Sequence, residues 1–426
     1  MGERADCVVV GGGPAGMVLG LLLARAGIEV SVLEKHGDFL RDFRGDTVHP
    51  STLQLLDELG LGERFAELPQ SRVAQTAWPI DAGRSVVIAD FSRLRARYPY
   101  IAMVPQWDLL DLLAEAGQEE PSFTLRMRTE VTELIRESGR VQGVRYRTDD
   151  GTSGEVRAAL TVACDGRWSI ARRQAGLEPT EFPVPIDAWW FRLPSKPHDK
   201  PSTLTPSAAK GRFALVIPRG EFHQIAYIAK KGTDQQLRAN GLECFREDIA
   251  ELIPWCADRV GALHSMDDVK HLDVRLNRLK HWHIDGLLCI GDAAHAMSPV
   301  GGVGINLAVQ DAVAAATLLA EPLRRGAATP TRLAAVRARR LLPTVAVQTL
   351  QQAWHRHLVA PILDGRRIRP PKPLLALLTR VPQISFVPAY LIGIGIRPEH
   401  APEFAKRPAR SSTPRPVSIR VQPRLP

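Results

Sequence analysis

The chain has 426 residues, of which 45% are hydrophobic and 24% are charged, and its formal net charge is +9. This length exceeds one ordinary hydrophobic core, and the composition is globular, which excludes fibrous and wholly disordered chains. The five cysteines have no paired spacing, which argues against a disulfide framework and a metal site, so we predict reduced cysteines in a cytoplasmic protein without a signal peptide.

Much of the positive charge lies at the carboxyl end. Residues 405–426 contain six Lys or Arg and five Pro but no acidic residue. We predict a disordered, solvated tail here, with no nucleic-acid partner; contact with nucleic acid or an anionic membrane is the alternative. Subtracting these six charges from +9 leaves a body near +3, which is ordinary for an enzyme.

The first predicted elements are a strand, a glycine-rich turn, a helix and a second strand within residues 5–36. The run ADCVVV is short and apolar, PAGMVLGLLLARAG has the spacing of a helix that ends at Gly27, and IEVSVLE predicts the next strand. The turn places Gly11, Gly13 and Gly16 in the pattern Gly-x-Gly-x-x-Gly. This order of elements predicts a dinucleotide-binding βαβ unit, for either NAD or FAD.

Each glycine of this motif has a physical role in binding a pyrophosphate. Gly11 permits the tight turn, Gly13 lets backbone N–H groups approach the phosphates, and Gly16 lets the helix pack closely on the strand. Unpaired amides at the helix N-terminus add partial positive charge. Glu34, at the end of the second strand, is expected to accept hydrogen bonds from the adenosine ribose. The neighbouring residues assigned to this site are Pro14, Ala15 and Lys35.

The next segment is predicted to be mixed. Residues 37–49 form a loop, and PSTLQLLDELG forms a helix with Pro50 near its first turn and Gly60 at its end. Residues 70–105 contain strand-like pieces such as RSVVIADF. A helix, WDLLDLLAEAG, and a short buried strand, LTVACDG, follow.

Residues 180–285 have the pattern of an antiparallel sheet, because the strand-like runs DAWWFRLP, GRFALVIPRG and HQIAYIAK alternate with Gly and Pro turns. Strand alternation puts Trp189 and Phe191 on one face and Trp190 on the other. We expect core packing for this aromatic run, and a wall of the substrate site is the alternative. A buried strand, GLLCIGDAAHA, and a strong helix, NLAVQDAVAAATLLAEPLRR, come next.

An apolar stretch lies near the carboxyl end, at residues 373–396. It is too short and too often interrupted by Pro to span a bilayer, so no transmembrane segment is predicted. We expect it to pack on the body of the protein or on a second subunit, which leaves a monomer and a homodimer open. A peripheral membrane contact is the alternative.

Two further motifs decide between the nucleotides. The segment CDGRWSIARR occupies residues 164–173, and Gly291-Asp292 follows the last buried strand. Together with the first glycine motif, they resemble the three fingerprints of single-component flavoprotein monooxygenases. These are the para-hydroxybenzoate hydroxylase-like aromatic hydroxylases that use FAD. The resemblance covers about residues 5–345 and leaves the substrate undefined.

The resemblance implies an α/β fold. A Rossmann-like FAD-binding domain, with a mixed parallel sheet and helices, would carry an inserted antiparallel β-rich substrate domain and a helical C-terminal region. The predicted boundaries are 1–72, 106–180 and 284–345 for the FAD-binding domain, 73–105 and 181–283 for the β-rich domain, 346–404 for the helical, apolar region and 405–426 for the tail.

The resemblance also implies roles for single residues. Asp292 would hydrogen-bond the ribityl chain of FAD, and Pro299 and the backbone of VGGVGIN would lie along the isoalloxazine ring, where any Cβ would intrude. A helix beginning near Asn306 would aim its N-terminus at the pyrimidine edge of the flavin. Arg44 matches a contact to the FAD pyrophosphate, and Gln106 a position beside the ribityl chain. The other implied FAD contacts are Val131, Asp165, Gly166, Ser169, Gly291, Gly301, Gly302, Gly304 and Ile305.

NADH or NADPH is the implied reductant. Arg44, Asp165 and Arg172 would handle it, directly or by ordering loops, and a surface salt bridge is the alternative for Arg172. His295 could be a ligand or a proton relay, but we favour a capping or packing role. The choice between the two nicotinamides stays open.

The implied reaction is reduction of FAD by NAD(P)H, formation of a C4a-hydroperoxyflavin with O2, and hydroxylation or epoxidation of a small aromatic or polycyclic substrate. The cofactor does this chemistry while the protein orients it and excludes water, so no catalytic triad is expected. Pro299 at the ring, and His223 and Tyr227 in the β-rich domain, are the candidate catalytic residues. Arg219 is a further candidate for activating a phenol.

Three other activities fit part of the pattern. A flavin-dependent halogenase shares the architecture but carries a Trp-x-Trp-x-Ile-Pro element and an essential lysine, and AWWFRLP does not supply that element. An FAD-dependent reductase or dehydrogenase shares the first motif and stays open. A non-catalytic flavin-binding scaffold is the alternative from another class.

Overall fold

The computed structural model describes residues 3–40, 47–81, 84–197, 199, 204–209, 211–365 and 380–408. The strands in chain order are β1 (Glu3–Val10), β2 (Val30–Leu33), β3 (Thr47–Val48), β4 (Ser71–Val73), β5 (Gln75–Asp81), β6 (Arg84–Asp90), β7 (Ile101–Met103), β8 (Phe123–Arg126), β9 (Thr129–Glu137), β10 (Arg140–Thr148), β11 (Ser153–Ala163), β12 (Pro179–Phe182), β13 (Ile186–Pro194), β14 (Thr205–Ala209), β15 (Arg212–Pro218), β16 (Phe222–Lys230), β17 (Lys270–Leu272), β18 (Leu276–Leu279), β19 (His283–Ile284) and β20 (Leu287–Cys289). The α-helices are α1 (Pro14–Arg25), α2 (Pro50–Glu58), α3 (Gly62–Ala66), α4 (Gln106–Gln118), α5 (Ile170–Gln174), α6 (Asp234–Ala239), α7 (Gly241–Leu252), α8 (Gly304–Arg324), α9 (Pro330–Trp354), α10 (Ala360–Leu363) and α11 (Phe386–Gly393).

The main sheet has β1 at its centre. β1 pairs in parallel with β2 on one side and β11 on the other, and these pair in parallel with β8 and β20. The amino-terminal half of β11 also pairs with β10, which forms an antiparallel hairpin with β9. Helices α1, α4 and α8 pack around this sheet, so the strand from Cys7 to Val10 is buried. The predicted Rossmann-like βαβ unit is confirmed, since a strand buried on both faces reads as a continuous apolar run.

A second sheet is antiparallel, with the order β14-β15-β16-β13-β17. One face, with Trp189 and Phe191, packs on α7 in a separate core. The other face, with Trp190, packs toward β4, β6 and β7. Core packing of Trp189 and Phe191, and the division of the aromatic run between two faces, are confirmed.

Helices α6 and α7 were not predicted, because residues 180–285 were expected to be only strands and turns. The segment GLECFREDIAEL places Phe245, Ile249 and Leu252 at the i, i+4, i+7 spacing of a helix, and all three are buried against the sheet. This helical spacing was overlooked because strand-like runs lie on both sides of the segment. The helix supplies the apolar cover that one face of the second sheet needs.

The carboxyl-terminal part returns to the main sheet's domain. Helix α9 runs through the predicted boundary at residue 345, and the division into domains stays a prediction. Ala405 is buried and its carbonyl accepts a hydrogen bond from Arg25 at 2.9 Å, so the predicted tail is docked at its start, while residues 409–426 lie outside the described part of the chain. Within the described ranges, no helix combines the length and the apolar character needed to cross a bilayer.

Candidate active site

The three glycines after β1 are required for different reasons. Gly11 has φ of 99°, and a Cβ there would lie 2.7 Å from the Cys164 carbonyl oxygen. A Cβ on Gly16 would lie 2.0 Å from the Gly11 carbonyl oxygen, so the fold itself excludes a side chain at both positions. A Cβ on Gly13 would meet no protein atom within 4 Å. The open space at Gly13 is therefore what a bound group would use, and it fits a pyrophosphate.

The N-terminus of α1 faces this space without a protein cap. Pro14 occupies its first turn, no side chain caps it and its first turn has no acidic residue, so the amides of Ala15 and Gly16 are available to an anion. Glu34 is buried beside the turn, where its carboxylate accepts the Gly12 N–H at 2.8 Å. Lys35, next to it, is exposed. This arrangement fits the phosphate and ribose of an adenine dinucleotide.

The second motif forms a capped turn beside the first. One carboxylate oxygen of Asp165 accepts the N–H groups of Ile170 and Ala171, at 2.8 and 3.3 Å, and Ser169 Oγ accepts the Arg172 N–H at 2.9 Å. The other oxygen of Asp165 is buried, and no described residue hydrogen-bonds to it. Burial raises the pKa of Asp165. An unpaired acceptor next to Gly11 fits a hydroxyl group of a bound cofactor.

Arg172 holds the second and third motifs together. Its guanidinium is buried and donates to the carbonyl oxygens of Ala293, at 3.2 Å, and Arg167, at 2.7 Å. The alternative of a surface salt bridge is wrong, because the side chain points into the core. A role for Arg172 in NAD(P)H handling through loop order stays a prediction. Such a role requires contacts that fix the two motifs against each other, and the two hydrogen bonds of Arg172 do this.

The third motif is built over a buried ion-pair network. The Gly291 N–H donates to Asp311 at 3.1 Å, and the same carboxylate contacts His295 Nε2 at 2.5 Å and Arg340 Nε at 3.1 Å. Although burial acts to raise it, the charges of His295 and Arg340 hold the pKa of Asp311 below its ordinary value. His295 also packs on Trp282, with ring centres 4.9 Å apart, which matches the favoured packing role.

Asp292 stands out from this network. It is half-buried at the 3-10 turn Gly291–Ala293, and none of the hydrogen bonds among the described residues uses its carboxylate. Its neighbours Gly291 and Ala293 are buried. A free carboxylate at the carboxyl end of β20 can accept hydrogen bonds from a polyol, and this fits the ribityl chain of FAD.

Two glycines of the next loop are required by the protein itself. Gly301 and Gly302 have φ of 87° and 65°. A Cβ on Gly301 would lie 3.1 Å from the Trp354 ring, and one on Gly302 would lie 2.7 Å from Thr47 Oγ1. These contacts with protein atoms explain both glycines without a ligand, and the expected approach of a flat ring to this backbone stays a prediction. A Cβ on Gly304 would lie 3.8 Å from Met297, which is ordinary contact.

Helix α8 begins at Gly304, two residues before the predicted start. Its N-terminus has no side-chain cap and no acidic residue in the first turn, so its amides can stabilise negative charge on a bound group. The Asn306 side-chain oxygen accepts hydrogen bonds from Ser51, at 2.8 Å, and Thr52, at 2.7 Å, and is therefore committed to α2. Ile305 is half-buried beside it.

A set of buried polar residues on α9 and on the π-helix that follows it, His355–Val359, was missed. Gln351 Nε2 donates to the carbonyl oxygens of Ser298 and Val300, at 2.8 and 2.9 Å, and His355 Nε2 lies 2.8 Å from Ser298 Oγ. These bonds clamp the backbone on both sides of Pro299. Spacing puts Gln348, Gln351 and His355 on one helix face, but in a sequence such a face reads as solvated.

The remaining predicted contacts are dispersed. Gln106 is the first residue of α4 and is half-buried, while Val131 is buried in β9. Gly166 has φ of 78° in the second motif's turn. Arg44 lies outside the described residues.

Two predicted catalytic residues lie on the face of the second sheet that packs on the helical layer. Tyr227 packs on Phe245, with ring centres 5.5 Å apart, and His223 Nε2 bonds Asp199 at 2.9 Å. Both side chains lie in the core between the sheet and the helical layer, so the structure contradicts a role for them at the substrate. Arg219 lies near Gln224, whose side-chain oxygen accepts from its Nε at 3.3 Å.

Comparison with known proteins agrees with this geometry. A family model described as an FAD binding domain matches residues 4–353. The chain belongs to this FAD-binding family. The chain is similar to a 6-methylpretetramide 4-monooxygenase of Streptomyces rimosus. The two are 34% identical over 397 residues, which are 91% of each chain.

Two further relatives resemble this FAD-binding protein. A 12-dehydrotetracycline 5-monooxygenase/anhydrotetracycline 6-monooxygenase of Streptomyces rimosus is 30% identical over 73% of this chain and 61% of its own length, so the chain spans about three-fifths of that relative. The solved structure of an anhydrotetracycline hydroxylase from Streptomyces rimosus has a TM-score of 0.73 and 25% identity, and covers 94% of this chain and 78% of its own. The chain is an FAD-dependent monooxygenase, as the three fingerprints predicted.

Proposed function

We propose that this monooxygenase takes electrons from NADH or NADPH and hydroxylates a polycyclic aromatic compound. The compound would bind on the face of the second sheet that carries Trp190 and Arg192, which we call its inner face. The names of its relatives, which are pretetramide and tetracycline oxygenases, support a polycyclic substrate. The observation that carries the position of the substrate is Trp190. Its indole N–H is buried, and no described residue accepts its hydrogen bond.

The chain's own groups would hold FAD at three places. The amides at the start of α1 and the open space at Gly13 take the pyrophosphate, Glu34 the adenosine ribose, and Asp292 the ribityl chain. The flavin ring would lie against the loop at Pro299, which α9 clamps through Gln351.

Bound FAD supplies the redox chemistry, taking two electrons from a nicotinamide and passing them to O2, so that one oxygen atom enters the substrate and the other leaves as water. The protein contributes orientation and the exclusion of water. The loop around Pro299 is held in place, because the carbonyls of Ser298 and Val300 both accept hydrogen bonds from the buried Gln351 side chain. The N-terminus of α8 favours negative charge on the group that it faces.

The inner face of the second sheet forms the other wall. Trp190 packs beside Leu215 and toward Met103, and Arg192 lies over the ring of Trp107 at 5.6 Å, next to the start of α4. The face is therefore apolar with a cationic end, which suits a flat aromatic compound that carries an acidic hydroxyl group. An indole N–H can donate to an oxygen of this ligand.

Adjacent tryptophans provide a matched test. Trp190→Phe removes a donor on the inner face, and Trp189→Phe removes one that bonds Asp234 at 2.7 Å in the opposite core. With polycyclic phenols, the parent should consume NADH or NADPH faster and yield product heavier by one oxygen atom. We expect Trp190→Phe to raise KM while retaining FAD, and Trp189→Phe to lower the melting temperature with KM unchanged. An unchanged KM for Trp190→Phe, or no substrate-stimulated oxidation, refutes the proposal.

A further inference from the structure

An exposed apolar face lies on α11, whose buried side, with Ala389, packs in the same apolar cluster as Trp190. Eight large apolar side chains are exposed within the described ranges, and five of them fall between residues 381 and 391. They are Val381, Phe386, Val387, Tyr390 and Leu391. Val387 is 52% exposed, which is unusual for a valine inside a helix. Such clustering marks an interaction surface.

The helix is fixed to the protein by its opposite side. Ala389 and Gly393 are buried, and the Gly393 carbonyl accepts a hydrogen bond from Ser51 Oγ at 3.2 Å. A Cβ on Gly393 would lie 3.1 Å from the Pro50 ring, so the helix packs tightly on α2. The outward face is therefore presented by a docked helix, with residues at i, i+1, i+4 and i+5 on one side.

The exposed charged side chains that flank this helix in the sequence are basic. Arg380 and Arg397 bracket the helix and are exposed. A cavity of about 630 Å³ beside the helix is lined by Phe386 and Tyr390 together with Arg93 and Arg95. Glu399 also lines it, but its carboxylate is buried and pairs with Arg339 and Arg340.

We propose that the outward face of α11 rests on an anionic lipid surface. Aromatic and aliphatic side chains on one side of a short helix, framed by arginines, can enter the interface between headgroups and acyl chains, and the basic frame attracts acidic headgroups. A second copy of this chain is a poorer occupant. In a two-fold interface this face would meet itself, and the basic frame would oppose an identical basic frame. The inference is independent of the substrate proposed above.

Vesicle binding tests the proposal with the full chain. The parent should sediment with vesicles of phosphatidylcholine containing phosphatidylserine, should bind pure phosphatidylcholine at least about tenfold more weakly, and should be released by high salt. The double variant Val387→Glu/Leu391→Glu should lower binding to the anionic vesicles by about tenfold or more. Leu40→Glu, which changes an exposed leucine elsewhere, is the matched control and should bind like the parent.

The folding of each variant is checked by FAD retention and melting temperature. If Val387→Glu/Leu391→Glu misfolds, the double variant Val387→Ser/Leu391→Ser replaces it. Parent protein that stays in the supernatant overturns the proposal. Equal binding by the parent and the Val387/Leu391 variants does so too, since the lipid contact would then lie elsewhere. A dimer in sedimentation velocity that the Val387/Leu391 variants abolish, without vesicle binding, would assign the face to a second copy instead.

Discussion

Replacing Gly13 by alanine should separate cofactor binding from folding. No protein atom lies within 4 Å of the new Cβ, and φ of −77° with ψ of −176° is open to any residue. Alanine is a poorer helix N-cap than glycine by about 0.5–1 kcal/mol, but it also reduces the entropy of the unfolded chain by a similar amount, about 0.4–1 kcal/mol. The free energy of unfolding of the FAD-free protein should therefore change by less than about 1 kcal/mol.

The affinity for FAD should fall by about 100-fold. The new methyl group stands where the amides of α1 meet the pyrophosphate, and each charge-assisted hydrogen bond is worth about 1.5–3 kcal/mol. Losing one or two of them costs about 3 kcal/mol, which is about 100-fold in Kd. Gly13→Val should abolish binding. Gly16→Ala is the matched control, because its Cβ would lie 2.0 Å from the Gly11 carbonyl oxygen and should destabilise the fold itself.

The assay measures both quantities on the same protein. FAD is removed, unfolding is followed in urea, and FAD is titrated back by the quenching of flavin fluorescence. The reasoning fails if Gly13→Ala binds FAD like the parent, since the space would then not be the phosphate site. It also fails if Gly13→Ala unfolds while Gly16→Ala does not.

Three further predictions concern the other contacts. Asp292→Ala should weaken FAD retention, and a purified variant that stays fully yellow contradicts the ribityl assignment. Arg172→Lys keeps the charge but loses the planar fork whose two nitrogens reach separate carbonyls, so the melting temperature should fall; an unchanged melting temperature would contradict the tie between motifs. Burial lowers the pKa of His49 and His355 from 6.5 to about 4. Between these two pH values the unfolded chain binds more protons than the folded protein, so the free energy of unfolding should fall as the pH drops from 6.5 to 4. His49 alone should contribute about 3 kcal/mol to this loss, and His49→Gln should flatten the pH profile of the melting temperature.

Much of the cofactor site was predictable because its determinants are local. A turn between a strand and a helix needs glycine wherever φ is positive or another backbone approaches, and both conditions hold at Gly11. The position of Glu34 at the end of β2 follows from the same βαβ unit. The conformation of Gly301 and Gly302 was local as well, although the atoms that exclude a side chain there come from Trp354 and Thr47.

The substrate wall and the loop clamp were not predictable. His223 and Tyr227 looked like candidates because strand alternation tells which residues share a face but not which face meets the cofactor. Gln351 looked like a solvated residue of a helix, and only the docking of α9 on the loop turns it into a buried donor.

Residue order alone determined that this chain binds FAD and oxygenates a substrate, because the three fingerprints build their turns from neighbouring residues. Tertiary packing decided which face of the second sheet packs on α7, which polar side chains hold Pro299 in place, and which apolar helix face stays exposed. Those outcomes depend on contacts between segments far apart in the chain, and no local pattern of residues encodes them.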